Sequence, residues 1–191
     1  MTKKEIRKKH KALRAALSTD EIETMSLAIA NQSLSVDIWA NQSFHLFLPI
    51  AEQKEVNTEY LLQILFGKDK NVVISRTDFD SLSMHHVLLT DSTTIKKNKY
   101  NIPEPVDGFP VDDQQIDVVF IPLLACDKQG NRVGYGKGFY DSFLEKCKAD
   151  VVKIGLSFFP PEDEITDIWP GDIPLDMLIT PEDIFHFPTH Q

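Results

Sequence analysis

The chain has 191 residues, 42% hydrophobic and 26% charged, which suits one sizeable core and excludes wholesale disorder. A formal net charge of −9 argues against a broad basic surface for nucleic acid. Two cysteines are too few for a disulfide framework, and the longest apolar run, VVFIPLLAC, contains a proline and falls far short of a membrane span. A cytoplasmic protein with neither a nucleic-acid nor a membrane partner is expected.

Residues 2–17 predict an opening helix with Thr2 and Glu5 at capping-box spacing, and residues 18–34 a second with Ser18 and Glu21 in the same roles. Seven of the twenty cations lie in the first fourteen residues: Lys3, Lys4, Arg7, Lys8, Lys9, Lys11 and Arg14. A basic amphipathic helix of this kind is ordinarily a solvated face. FHLFL at 44–48 reads as a buried strand ended by Pro49, and 57–67 as a helix that Gly67 can terminate. NVVIS and HHVLL are strand candidates, and His85 and His86, as neighbours on a strand, point to opposite faces and cannot share a metal. Residues 91–115 are polar and proline-bearing, expected to form an ordered surface loop. IDVVFIPLL resumes strand character, a helix opens near Gly138, and VVKIGLSF and PLDMLIT supply two late strands. Strands alternating with helices, with continuously apolar central strands, predict a single-domain α/β/α three-layer sandwich on a mostly parallel sheet.

Four of the eight glycines fall between positions 130 and 138, in GNRVGYGKGFYD. In an open α/β sheet, ligands bind where strands end and helices begin. Glycines there let main-chain amides turn toward an anion, and the helix N-terminus adds partial positive charge. Arg132 and Lys137 add full charges. The G-x-G-x-G spacing matches neither the dinucleotide fingerprint nor a P-loop, so a plain glycine-rich turn with solvated cations stays open. Asp141 either favours the helix dipole or ligates a Mg²⁺. Phe139 and Tyr140 are candidates to stack on a planar ring.

The same stretch, with IDVVFIPLLACDKQG before it, resembles the signature of the 5-formyltetrahydrofolate cyclo-ligases, also called methenyltetrahydrofolate synthetases. The basic opening KKEIRKKHKALRAALS, EVNTEYLL, NKYNIPEP and DIPLDMLIT are similar to further ordered segments of that family. Departures include Ser75 at a position often occupied by proline, Cys126 at a usual aromatic, and a weak match over 77–90.

The resemblance implies conversion of 5-formyltetrahydrofolate and MgATP to 5,10-methenyltetrahydrofolate, ADP and phosphate. It implies ATP contacts at Lys3, Lys4, Glu5, Ile6 and Arg7 and at Arg132, Val133, Gly134, Tyr135, Gly136, Lys137, Gly138, Phe139 and Tyr140. Arg132 and Lys137 would be catalytic. Folate would meet Ile50, Glu55, Tyr100, Glu104, Tyr135 and Phe139, and Asp141 and Asp172 would hold Mg²⁺. Glu55 has a second reading as a helix-start glutamate. Lys8, Lys9 and Lys11 are expected to stay solvated, and a monomer or weak homodimer is expected. Competing readings are a non-catalytic folate- or nucleotide-binding protein on the same scaffold, and a sugar-phosphate isomerase or acyl-transferase relative. Fold analogy alone carries the last.

Overall fold

The computed structural model describes residues 1–188. In chain order the elements are α1 (Lys3–Ala15), α2 (Thr19–Ser33), β1 (Ser43–His45), α3 (Glu59–Gly67), β2 (Asn71–Asp78), β3 (Ser83–Leu88), β4 (Ile95–Lys97) and β5 (Pro103–Pro105). There follow β6 (Val118–Pro122), β7 (Ala125–Cys126), β8 (Arg132–Val133), α4 (Phe139–Lys146), β9 (Val152–Leu156), β10 (Met177–Ile179) and β11 (Ile184–His186). Both capping boxes form: the Thr2 and Ser18 side chains accept from the amides of Glu5 and Glu21, whose carboxylates accept in return. Each box meets amides that the first helical turn leaves without partners.

Seven strands make one sheet in the order β11-β10-β9-β6-β1-β2-β3. The five inner strands are parallel, and β3 and β11 close the edges antiparallel. Side chains alternate across it, as the two-residue period of a strand requires. Val72, Ile74, Val118 and Phe120 pack on the α2–α3 side, while Val73, Val119 and Ile121 pack against Phe143 and Leu144 of α4. Burial on both faces explains why the central strands read as unbroken apolar runs. The result is the expected α/β/α sandwich. No helix among the described residues is long and apolar enough to cross a membrane.

Three local expectations need correction. The strand expected over 44–48 ends at His45, although the Leu46 amide still donates to the Val73 carbonyl at 2.9 Å. The segment 91–115 is no plain loop, since β4 and β5 pair antiparallel and a 3₁₀ turn spans Asp113–Gln115. The stretch before the glycine loop folds as a small β7–β8 hairpin, which sequence periodicity over two-residue strands could not reveal.

The sheet order places the site. From β1 the chain moves to β2 on one side, yet β6 lies on the other side of β1. Crossovers leaving in opposite directions open a crevice at the carboxyl ends of these strands. The chain beyond β1 and β6 runs into it.

Candidate active site

A cavity of about 830 Å³ occupies that crevice. Its floor comes from His45 to Leu48 after β1, Ser75 and Thr77 of β2, and Pro122 of β6. The glycine loop, the first turn of α1 and the loop carrying Trp169 and Asp172 form one end. Phe79, Met84, Tyr100 and Ile102 form the other.

The first end is cationic and rich in donors. Among the described residues, the backbone amides from Gly134 to Gly138 donate to no other protein group. Gly136 and Gly138 have φ of +88° and +72°, a left-handed backbone that costs an L side chain about 1–2 kcal/mol. Gly134 does not share that conformation and has open space where a Cβ would sit. Arg7 holds the loop from below, its Nε donating to the Gly134 carbonyl at 3.0 Å. A Cβ on Gly136 would lie 3.4 Å from its guanidinium. Gly130 shares the left-handed backbone at φ +86°, and a Cβ there would lie 2.8 Å from the Leu175 carbonyl, so the clustering of glycine has a cause at three of its four positions. The loop must curl, and it must do so over an arginine.

The N-terminus reaches this end because residues 164–172 fasten it. The Met1 ammonium donates to the Glu164 carbonyl at 3.0 Å, the Thr166 amide to the Met1 carbonyl at 3.0 Å, and the Lys3 amide to Asp167 Oδ1 at 2.7 Å. Lys3 is then ion-paired with Asp172, whose Oδ2 also accepts from the Trp169 amide at 2.9 Å. Lys4 and Arg7 line the cavity beside them. Lys9 does not stay simply solvated as expected, for it pairs with Glu162 at 2.6 Å.

Arg132 is not a loop cation. It sits on β8 with its side chain 9% exposed, its Nη2 2.5 Å from Asp141 Oδ1. Burial pushes its pKa down and the carboxylate of Asp141 opposes that shift. Its Nε is buried without a hydrogen-bond partner among the described residues. Lys137, by contrast, is exposed on the loop.

Asp141 and Asp172, the two expected metal ligands, line the same end. Both are already matched by cations, and no group of three or more His, Cys, Asp or Glu side chains among the described residues is arranged to hold a metal. Mg²⁺ is commonly held by one or two carboxylates with phosphate oxygens and water completing the octahedron. Two carboxylates at a phosphate-sized donor pocket therefore fit a Mg²⁺ that arrives with its polyphosphate.

In the middle, Glu55 is buried and lies outside any helix; α3 begins at Glu59. The Ile50 amide donates to its Oε2 at 2.8 Å and the Tyr135 hydroxyl to its Oε1 at 2.8 Å. Arg14 Nη1 donates in turn to the Tyr135 oxygen at 2.9 Å, and its Nη2 to the Leu123 carbonyl at 2.5 Å. Burial raises the Glu55 carboxyl above its ordinary pKa, against the pull of these donors. Burial likewise pushes the Tyr135 and Tyr140 hydroxyls up, so both remain neutral donors.

The far end is aromatic. Phe79 packs on Tyr100 with centroids 4.5 Å apart and edge-on to Phe139 at 5.3 Å. Such a cluster suits a flat, partly apolar ring.

Most expected contacts converge here, but four do not. Glu5 is spent on its capping box. Ile6 and Val133 are buried together with Ala125 and Ile165 beneath the loop. Glu104 faces away, accepting from the Asn98 side chain at 3.3 Å and the Thr77 amide at 3.4 Å to brace the 98–104 turn. Sequence reasoning missed Arg14, His45, Phe79 and Trp169. Arg14 is buried in a helix face read as solvated, and Phe79 lies in the segment 77–90 that carried no motif. Trp169, 70% exposed at the cavity rim, offered only its composition as a signal.

The model of the 5-formyltetrahydrofolate cyclo-ligase family matches residues 1–181. A mouse 5-formyltetrahydrofolate cyclo-ligase is 34% identical over 139 residues, 69% of this chain and 68% of its own length. The protein of that name from Haemophilus influenzae is 27% identical over 186 residues, covering 93% of this chain and 97% of the relative. The solution structure of an Aquifex aeolicus 5,10-methenyltetrahydrofolate synthetase superimposes with a TM-score of 0.82 at 27% identity, over 100% of this chain and 95% of that one. Sequence, fold and cavity thus agree, and the chain belongs to the 5-formyltetrahydrofolate cyclo-ligase family.

Proposed function

We propose that this protein, acting as one catalytic domain, uses ATP to close 5-formyltetrahydrofolate to 5,10-methenyltetrahydrofolate, releasing ADP and phosphate. The observation that carries the reading is the set of five unpartnered amides from Gly134 to Gly138, ringed by Lys3, Lys4, Arg7, Arg132 and Lys137 at one end of a cavity whose other end is aromatic. A polyphosphate is recognised by such donors and charges, and a pterin by the aromatic end.

A formamide oxygen is a poor leaving group. In the proposed route it attacks the γ-phosphorus of ATP, and the phosphorylated formyl carbon is then open to N10. Transfer of this kind depends on positioning and on neutralising charge. The loop amides and Lys137 meet the transferring phosphoryl oxygens, while Arg132, steered by Asp141, presents its remaining N–H groups from below. Loss of one such donor costs about 10²–10³ in rate. Asp141 and Asp172 would hold Mg²⁺, which when bound supplies further neutralisation of phosphate charge. Glu55, raised in pKa and fixed by Tyr135, recognises N–H groups of the pterin.

Purified protein given 5-formyltetrahydrofolate and MgATP should show the absorbance of the methenyl product together with one ADP per turnover. Tight binding of both ligands with no ADP formed would instead establish the non-catalytic binding protein.

A further inference from the structure

The segment that fastens the N-terminus also holds up a ring that the chemistry above does not use. Trp169-Pro170-Gly171-Asp172 has the composition of a β-turn, with proline in its second place and glycine in its third. The turn forms: the Asp172 amide donates to the Trp169 carbonyl at 3.0 Å, and Asp172 Oδ2 accepts from the Trp169 amide at 2.9 Å. Pro170 further disfavours helical backbone at Trp169. Asp172 is in turn ion-paired with Lys3, and Asp167, two residues before the tryptophan, accepts from the Lys3 amide at 2.7 Å. The backbone that carries the ring is therefore clamped to α1 from both sides. The indole itself is 70% exposed, and among the described residues its N–H has no hydrogen-bond partner and its ring stacks on no other. A single apolar side chain on a surface is ordinary. This one lines the cavity and is anchored there.

Position decides what the ring can meet. Arg7 lies beneath Gly136 of the donor loop, and Lys3 stands four residues, about 6 Å, nearer the start of α1. The Lys3–Asp172 pair then leads to Trp169 at the rim. A polyphosphate seated on the loop, with its reacting end toward the middle of the cavity, has its other end directed along α1 to that rim. The remaining rings of the cavity are engaged elsewhere. Phe47 is buried in the core, Tyr135 is bonded to Glu55, and Tyr140 packs against His45 and Phe143. Phe79 packs on Tyr100 and Phe139 at the opposite end. Trp169 is left as the ring without a partner at the phosphate end.

We propose that Trp169 is the platform on which the base of the nucleotide stacks. The proposal rests on the cyclo-ligase reading, which supplies the nucleotide. An indole face meets any planar base, so the contact favours a nucleotide over a bare polyphosphate without reading the edge of the base. Because hydrogen bonds and an ion pair set the backbone of the turn before binding, little ordering remains to oppose the contact. Removing one such ring typically weakens a base contact about 5- to 150-fold.

The test separates base from phosphate. Calorimetry of the full chain with MgADP, and with magnesium tripolyphosphate, which carries no base, gives the two affinities. Trp169→Leu should weaken MgADP binding about tenfold or more and leave tripolyphosphate binding within about twofold, and Trp169→Phe, which keeps a ring, should recover most of the loss. MgADP should quench the indole fluorescence of the parent but not that of Trp169→Leu, in which Trp39 alone remains, and tripolyphosphate should quench neither. In turnover, Trp169→Leu should raise KM for ATP and leave KM for 5-formyltetrahydrofolate unchanged. A Trp169→Leu protein that binds MgADP as the parent does, or that loses tripolyphosphate equally, overturns the proposal, as does a rise confined to the folate KM. A parent that turns over with no quench by MgADP sinks the platform alone. A parent quenched by MgADP that forms no methenyl product keeps the platform and sinks the cyclo-ligase reading, and one that binds neither compound sinks both.

Discussion

Arg132 and Lys137 look equivalent in sequence, two cations flanking one glycine loop, yet the fold separates them. Arg132 is nearly enclosed and bound to Asp141, which is itself 27% exposed and tied to the Ile173 amide at 3.0 Å. Replacing Arg132 by Met keeps most of the side-chain volume but leaves Asp141 without its counter-charge. Breaking a buried pair from one side costs about 3–5 kcal/mol, and the residual exposure of Asp141 places this case near the lower figure. For a domain of this size, about 3 kcal/mol corresponds to a fall in Tm of about 6–12 °C. Lys137 is exposed and forms no ion pair within the described residues, so Lys137→Ala should leave Tm within about 2 °C of the parent. Thermal melts and urea titrations without ligand make the comparison, and Arg132→Met with Asp141→Asn should recover much of the loss by removing the stranded charge. An Arg132→Met protein that melts with the parent, or a Lys137→Ala protein that falls as far, refutes the reasoning. Sequence alone leads one to expect that both changes spare the fold, since loop cations seldom carry a core; the burial of Arg132 withdraws it from that class.

Three more outcomes can be measured. Gly136→Ala must hold φ near +88° and crowd Arg7, so it should weaken nucleotide binding in calorimetry, whereas Gly134→Ala, with open space, should not. Burial raises the Glu55 pKa, so the native state binds its proton more tightly than the unfolded chain; stability from this group is fully present below the ordinary value of 4.5 and is lost as pH rises through the raised folded value. Glu55→Gln should therefore flatten that stretch of the stability-versus-pH curve; an unchanged slope would count against the assignment. His10 behaves in the opposite sense, because burial outweighs Glu162 and depresses its pKa. Its contribution is complete above the ordinary value of 6.5 and is lost as pH falls toward the depressed value, so His10→Gln should make the protein less sensitive to mild acid in urea titrations.

What could be read from residues alone was whatever local chemistry dictates. Capping boxes at Thr2 and Ser18 are four-residue patterns, and both formed. The runs around Val72 and Val118 are apolar because both faces of an inner strand are covered, so layer order was legible too. The glycine loop also declared itself, since a backbone with φ near +88° over an arginine tolerates little else. Convergence was another matter. Arg14 sits on a basic helix face that looks solvated in one dimension, and only the packing of α1 over the β7–β8 hairpin buries it beneath Tyr135. Glu104 belongs to a recognisable motif yet braces its own turn. His45, Ser75, His86 and Asp113 span 69 positions of sequence and meet in one hydrogen-bonded chain only because parallel crossovers and an antiparallel edge set three strands side by side. Short-range pattern specifies what each segment becomes. Which distant side chains share a cavity depends on strand order and register, and those are settled by how all the apolar faces can be buried at once.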